Sequence, residues 1–204
     1  MEKKEILYGA VGFLGGILLT VLLTGNVVNS NNTGMMNMMG VSTSNQKFMG
    51  NSNSIDAHFI EQMIPHHEDA ITMAKLAQTK AQKPEVRQLA ENIINSQGKE
   101  INQMKAWYKD WFGKEVTNNN QAMTQHGMMN DDSDTTNLKD ATDFDRLFIE
   151  EMIPHHQMAV MMANMLLSGT NRPEMKKLAT DIIAAQTKEI NQMRQWYKDW
   201  GFNE

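Results

Sequence analysis

The chain of 204 residues contains no cysteine, which excludes disulfides, thiolate metal sites and thiol nucleophiles together. Its Lys and Arg residues do not cluster, and the formal net charge is -5. The basic patch that a nucleic-acid partner needs is therefore missing. No H-E-x-x-H motif and no Ser/His/Asp arrangement is present, so hydrolase chemistry has no motif to rest on. What the sequence does hold is methionine, 19 copies, as its only sulfur, and a hydrophobic share of 41%, sufficient for a core.

The N-terminus carries Lys3 and Lys4 and then an uncharged, mostly apolar run over residues 6 to 24. Residues 1 to 24 have the pattern of an export segment, a signal peptide or a membrane anchor. The run approaches the roughly 20 residues that span a bilayer and no A-x-A-like site follows it, so an uncleaved anchor is the favoured reading. Either form places the remainder across the membrane, in a bacterial periplasm, soluble after cleavage or tethered by residues 6 to 24. Residues 25 to 52 form an Asn- and Met-rich linker containing Met35, Met36, Met38 and Met39.

A shift of 89 positions superposes Asp56 through Trp111 on Asp145 through Trp200 without a gap, with slightly more than half of the pairs identical. Each copy opens on a helix-capping pattern, Asn53 with Asp56 and Thr142 with Asp145. Each then passes through a short polar loop to Pro84 or Pro173 at the first position of a second helix. Gln97, Ile101, Met104, Tyr108 and Trp111 make a helical stripe there, repeated as Gln186, Ile190, Met193, Tyr197 and Trp200. The expectation is an all-α four-helix bundle of two antiparallel hairpins, 53 to 113 and 142 to 204, packed as one body. The connector 114 to 141 is polar, is expected to lack regular structure, and carries Met123, His126, Met128 and Met129.

Within the first helix of each copy stands a proline followed by two histidines: Glu61 to Ala70 reads EQMIPHHEDA and Glu150 to Ala159 reads EEMIPHHQMA. Met63 shares helix faces with both His66 and His67, and Met152 with His155 and His156. Met73, Met104, Met162 and Met193 lie on core stripes as supporting thioethers, although methionine at core spacing more often fills gaps. The second copy adds Met158, Met161 and Met165. Pro65 and Pro154 remove a helical amide, and the bend this favours is expected to aim the rings. His58 with Asp56 is a candidate weak surface site for a divalent ion. Imidazole and thioether without thiolate favour a soft ion, copper(I) above all. Zinc is poorly served by thioethers, and the Glu-x-x-His pairs of a di-iron bundle are absent.

FIEQMIPHHEDAITMA and FIEEMIPHHQMAVMMA, each followed by KEINQM, resemble a bacterial family of domains of unknown function, grouped with ferritin-like bundles and marked by an M-x-P-H-H pattern. The resemblance covers residues 53 to 113 and 142 to 204, and the tandem arrangement with Met-rich linkers is similar to a periplasmic copper metallochaperone within that family. It implies that His66, His67, His155 and His156, with Met63 and Met152, hold Cu(I), or Ag(I) as its mimic, in the core. It also implies weaker Cu(II) sites at the surface and a role in copper resistance. A copper efflux or sensor protein of the envelope is then the expected partner. A copper-dependent oxidoreductase and a metal-free envelope interaction module are the alternatives; no catalytic residue is assigned.

Overall fold

The computed structural model describes residues 52–116 and 133–202, and nothing but helix, turn and connection occurs among them. The N-terminal run and the linker residues His126, Met128 and Met129 lie outside the described residues. In chain order the helices are α1 (Ser52–Lys80), α2 (Pro84–Phe112), α3 (Ser133–Asp140), α4 (Phe144–Gly169) and α5 (Pro173–Asp199). The hairpins α1/α2 and α4/α5 pack through α1 against α4, giving the expected all-α bundle. No described helix is long and apolar enough to cross a membrane.

Local sequence explains the boundaries. Pro84 and Pro173 occupy the first turns of α2 and α5, where a missing amide costs nothing. Gly113 ends α2 with a φ of 68° and returns its amide to the Lys109 carbonyl, a conformation that suits a residue without a side chain. α1 and α4 run unbroken through Pro65 and Pro154. The carbonyl of Glu61 loses its helical partner at Pro65, while the Glu61 carboxylate accepts the hydroxyl of Tyr108 and ties α1 to α2. The second copy repeats this tie, Tyr197 donating to Glu150 at 2.5 Å.

Two expectations are corrected here. The cap of α4 is Asp143, whose carboxylate accepts the Arg146 amide at 3.2 Å, and Thr142 stays outside the helix. Asp145 and Asp56 are buried and reach across to the opposite hairpin instead of capping their own helices. Asp145 Oδ2 accepts the amides of Gln82 at 3.0 Å and Lys83 at 3.1 Å, supplying α2 with the side-chain cap it otherwise lacks and placing a negative charge at its N-terminus. Asp56 lies 3.1 Å from Arg172 Nε at the entry to α5. The second correction concerns the connector: Ser133–Asp140 is helical, and Leu138 is fully buried against the second half of the core.

The aromatic ends complete the exchange. Trp107 stacks on Trp111 and Trp196 on Trp200, with centroids 5.3 and 5.4 Å apart. The Arg172 guanidinium sits 4.2 Å over Trp111, and Lys83 Nζ 5.0 Å from Trp200. Each hairpin's final turn thus covers the other hairpin's loop, by contacts that attract a cation to an aromatic face. Replacing Asp145 with Ala strands two amides, and the expected loss of unfolding free energy is about 2 to 3 kcal/mol. Asp145→Asn keeps an acceptor and should lose less than half of that. Urea titration of both variants, with an unchanged m-value, is the measurement.

Candidate metal centre

The core is not continuous. One apolar cluster contains Met63, Met104 and Met162, and the other Met73, Met152 and Met193. Between them, at mid-length, lie His66, His67, His155 and His156 with Gln97 and Gln186, all buried except His155, which is half-buried. The repeat relation explains this arrangement: antiparallel packing of α1 on α4 brings the two histidine pairs level, with an apolar cluster on either side.

Across this layer the rings form a row. His66 and His155 meet at its centre, centroids 3.7 Å apart and planes inclined by 39°. His67 lies 6.3 Å from His66, and His156 lies 6.2 Å from His155. At the outer ends, His67 Nε2 is 2.7 Å from Glu100 Oε2 and His156 Nε2 is 2.8 Å from Glu189 Oε2. The tautomer that donates Nε2–H to such a carboxylate leaves its lone pair on Nδ1. Metal-binding histidines are commonly oriented in this way.

The inner nitrogens are without protein partners. Nδ1 of His66, His67 and His156, both ring nitrogens of His155, both amide atoms of Gln97 and Oε1 of Gln186 are buried and unpaired. His155 keeps some exposed surface, but its two nitrogens do not. Burial, then the positive charge that His155, His67 or His156 would add, holds His66 well below the usual imidazole range. Burial and His156 bring His155 down to about 3. Both rings are therefore neutral at neutral pH and have lone pairs to offer.

Not every expected donor arrives at this layer. The imidazoles come from α1 and α4 only; α2 and α5 contribute Glu100, Gln97, Glu189 and Gln186. Met63 and Met152 are fully buried but lie in opposite clusters, so the six expected thioethers divide three and three, with Met175 added to the first cluster, instead of converging from four helices. Asp56 is buried against Arg172 and is no surface ligand. His58 is half-buried, and its pKa is lowered by that burial against the opposing pull of Glu61. Among the described residues no group of three or more His, Asp or Glu side chains is disposed to hold an ion. Glu100 and Glu189 went unassigned in the sequence; both stand 33 residues after the histidine they orient, a repeat offset that marks them.

A family model described as "Domain of unknown function (DUF305)" matches residues 56–197. The fold is similar to that of CopM in its Cu(I)-bound form, at 50% identity over 72% of this chain and 97% of that one, with a TM-score of 0.64. CopM has also been solved in Ag-bound, Cu(II)-bound and apo forms. A DUF305 fragment from Deinococcus radiodurans is 29% identical over 69% of this chain and 93% of its own, with a TM-score of 0.58. Uncharacterized protein L153 of Acanthamoeba polyphaga mimivirus is 47% identical over 49 residues, 24% of this chain and 32% of that protein. The chain therefore spans about a third of that curated relative. With the matched residues running from the start of α1 nearly to the end of α5, and both histidine pairs inside them, the chain belongs to the DUF305 family.

Proposed function

We propose that this protein binds copper as cargo, a periplasmic metallochaperone or buffer contributing to copper resistance, and that the histidine layer holds Cu(I), with Ag(I) as its mimic. The observation that carries this reading is the row of four imidazoles, with His66 and His155 neutral at its centre, whose inner nitrogens are buried and have no partner. Unsatisfied donors inside a core cost free energy, and a soft ion that favours few ligands recovers it. The flanking thioethers of Met63, Met104 and Met162, and of Met73, Met152 and Met193, are compatible second donors for such an ion. The solved forms of CopM with Cu(I), Cu(II) and silver support the same chemistry. On this reading the linker residues His126, Met128 and Met129 collect or pass on the ion, with weaker Cu(II) sites at the surface. The apolar run 6 to 24 provides export or tethering, and an envelope efflux or sensor protein receives the copper.

A redox enzyme would need an open position and a substrate pocket beside the metal. The layer is closed by apolar clusters on both sides, which favours holding an ion over turning one over.

Three outcomes are expected. Titration with Cu(I) against a competing chelator should give tight binding that is lost when His66, His67, His155 and His156 are all changed to Ala. Unchanged affinity would transfer the role to the linker methionines. Glu100→Gln combined with Glu189→Gln keeps the size of both side chains but weakens the orientation of His67 and His156. Affinity in the same assay should fall about 10- to 100-fold.

The third outcome concerns pH in the copper-free protein. His155 titrates near 3 when folded and at the ordinary imidazole value, about 6.5, when unfolded. Between these values the unfolded chain binds more protons, so this contribution to stability is complete above pH 6.5 and is lost as pH falls toward 3. From pH 7.5 to 5 the loss amounts to about 2 kcal/mol. His155→Leu removes it, so the difference in urea-derived stability between the variant and the parent should change by that amount over the same interval.

A further inference from the structure

The duplication provides an internal control for one helix face. Where the first copy has Asp69, Thr72 and Leu76, the second has Met158, Met161 and Met165. Spacings of three and four residues put the three thioethers on one stripe of α4. All three are half-buried. Met158 packs against the first apolar cluster, but Met161 and Met165 do not belong to the packing of either cluster. Leu76, at the position matching Met165, does pack against the second cluster. Gap-filling thus accounts for one methionine of the three.

The pairing of α1 with α4 adds a second kind of donor. His66 meets His155, and a Cβ on Gly169 would stand 2.5 Å from Ile55 Cδ1. These two contacts fix an antiparallel register. Met158, Met161 and Met165 lie between His155 and Gly169, while His58 lies between Ile55 and His66. Stripe and imidazole therefore occupy the same stretch of the helix pair. At the other end of the bundle, Leu147 replaces His58, and Asp69, Thr72 and Leu76 replace the methionines. Imidazole and thioethers occur together at one end only. From Met158 to Met165 the stripe spans roughly 10 Å of helix, a distance that flexible three-torsion side chains can close.

We infer that Met158, Met161 and Met165, with His58 as a fourth donor, form a solvent-accessible site for a soft monovalent ion, separate from the histidine layer. The site rests on the soft-ion chemistry proposed above but uses none of the same residues. A site at the surface can exchange its ion with a partner, whereas the layer must first open.

The test uses the full chain carrying methyl-labelled methionine, titrated with silver(I) and followed by NMR. The methyl signals of Met158, Met161 and Met165 should shift both in the parent and in a His66→Ala, His155→Ala variant. A Met158→Leu, Met161→Leu, Met165→Leu variant keeps side-chain volume and should bind one silver fewer while the histidine-layer signals still respond. Silver affinity at the stripe should fall about tenfold in His58→Leu. Unmoved methyl signals, or an unchanged stoichiometry in the triple variant, overturn the site; an unchanged affinity in His58→Leu removes His58 from it. If the histidine variant keeps the full stoichiometry, it is the core reading that fails, so the two failures are distinct.

Discussion

Four imidazoles packed into the middle of a helical bundle set the terms for the rest of the molecule. An unpartnered buried donor or acceptor costs on the order of 1 to 3 kcal/mol, and the layer contains several, His155 with neither nitrogen bonded and Gln97 with neither amide atom bonded. Burial at the same time disfavours protonation, so the cost of holding His66 and His155 in the core is what keeps their lone pairs free. Desolvation and ligand readiness are one effect seen from two sides. Apolar clusters above and below, built from all four long helices, offset that cost.

Besides the apolar clusters that both hairpins share, polar and cation–aromatic clasps join the hairpins at the ends of the bundle. Asp145 caps the loop of the first hairpin, Asp56 pairs with Arg172 at the loop of the second, and Trp111 and Trp200 lie under Arg172 and Lys83. The polar contacts that clasp the hairpins therefore lie away from the histidines. A layer with unpartnered nitrogens would be a poor clasp, whereas a buried carboxylate on two backbone amides is a good one. The repeats have also diverged where the clasp allows it: Asp145 takes backbone amides, and Asp56 takes a guanidinium that also lies over Trp111.

Most of the fold was legible because helices announce themselves locally. The stripes of Gln97 to Tyr108 and Gln186 to Met193, the positions of Pro84 and Pro173, and the antiparallel hairpins all follow from spacing within one element. What a single helix cannot reveal is which residue faces it from another. Asp145 looked like a local cap because its acceptor role is real, but its partners are 62 and 63 residues away. Glu100 and Glu189 drew no assignment, since nothing in α2 or α5 alone says that a buried imidazole stands opposite. The histidine pairs were conspicuous from their repetition, yet the sorting of Met63 and Met152 into separate clusters required the register of α1 on α4. The helix Ser133–Asp140 escaped notice because its sequence is polar except for Leu138, which is buried in the second cluster.

On the proposed copper reading, the geometry of the layer also bears on which ion would suit it and on how that ion would be taken. A metal binds an imidazole along the ring plane at nitrogen, yet His66 and His155 lie closer to face-to-face than edge-to-edge, at 3.7 Å and 39°. Capture therefore requires at least one ring to turn about its side-chain torsions. On the proposed reading, such a turn would break no side-chain hydrogen bond at His155, so reorganisation would be inexpensive where the ion enters. His67 and His156 are different: their outer nitrogens stay with Glu100 and Glu189, and Nδ1 of each is the nitrogen without a partner. A hard divalent ion would need those carboxylates for itself and would have to dismantle the pairs that orient the rings. On the proposed reading, an ion satisfied by two or three donors would need no such change.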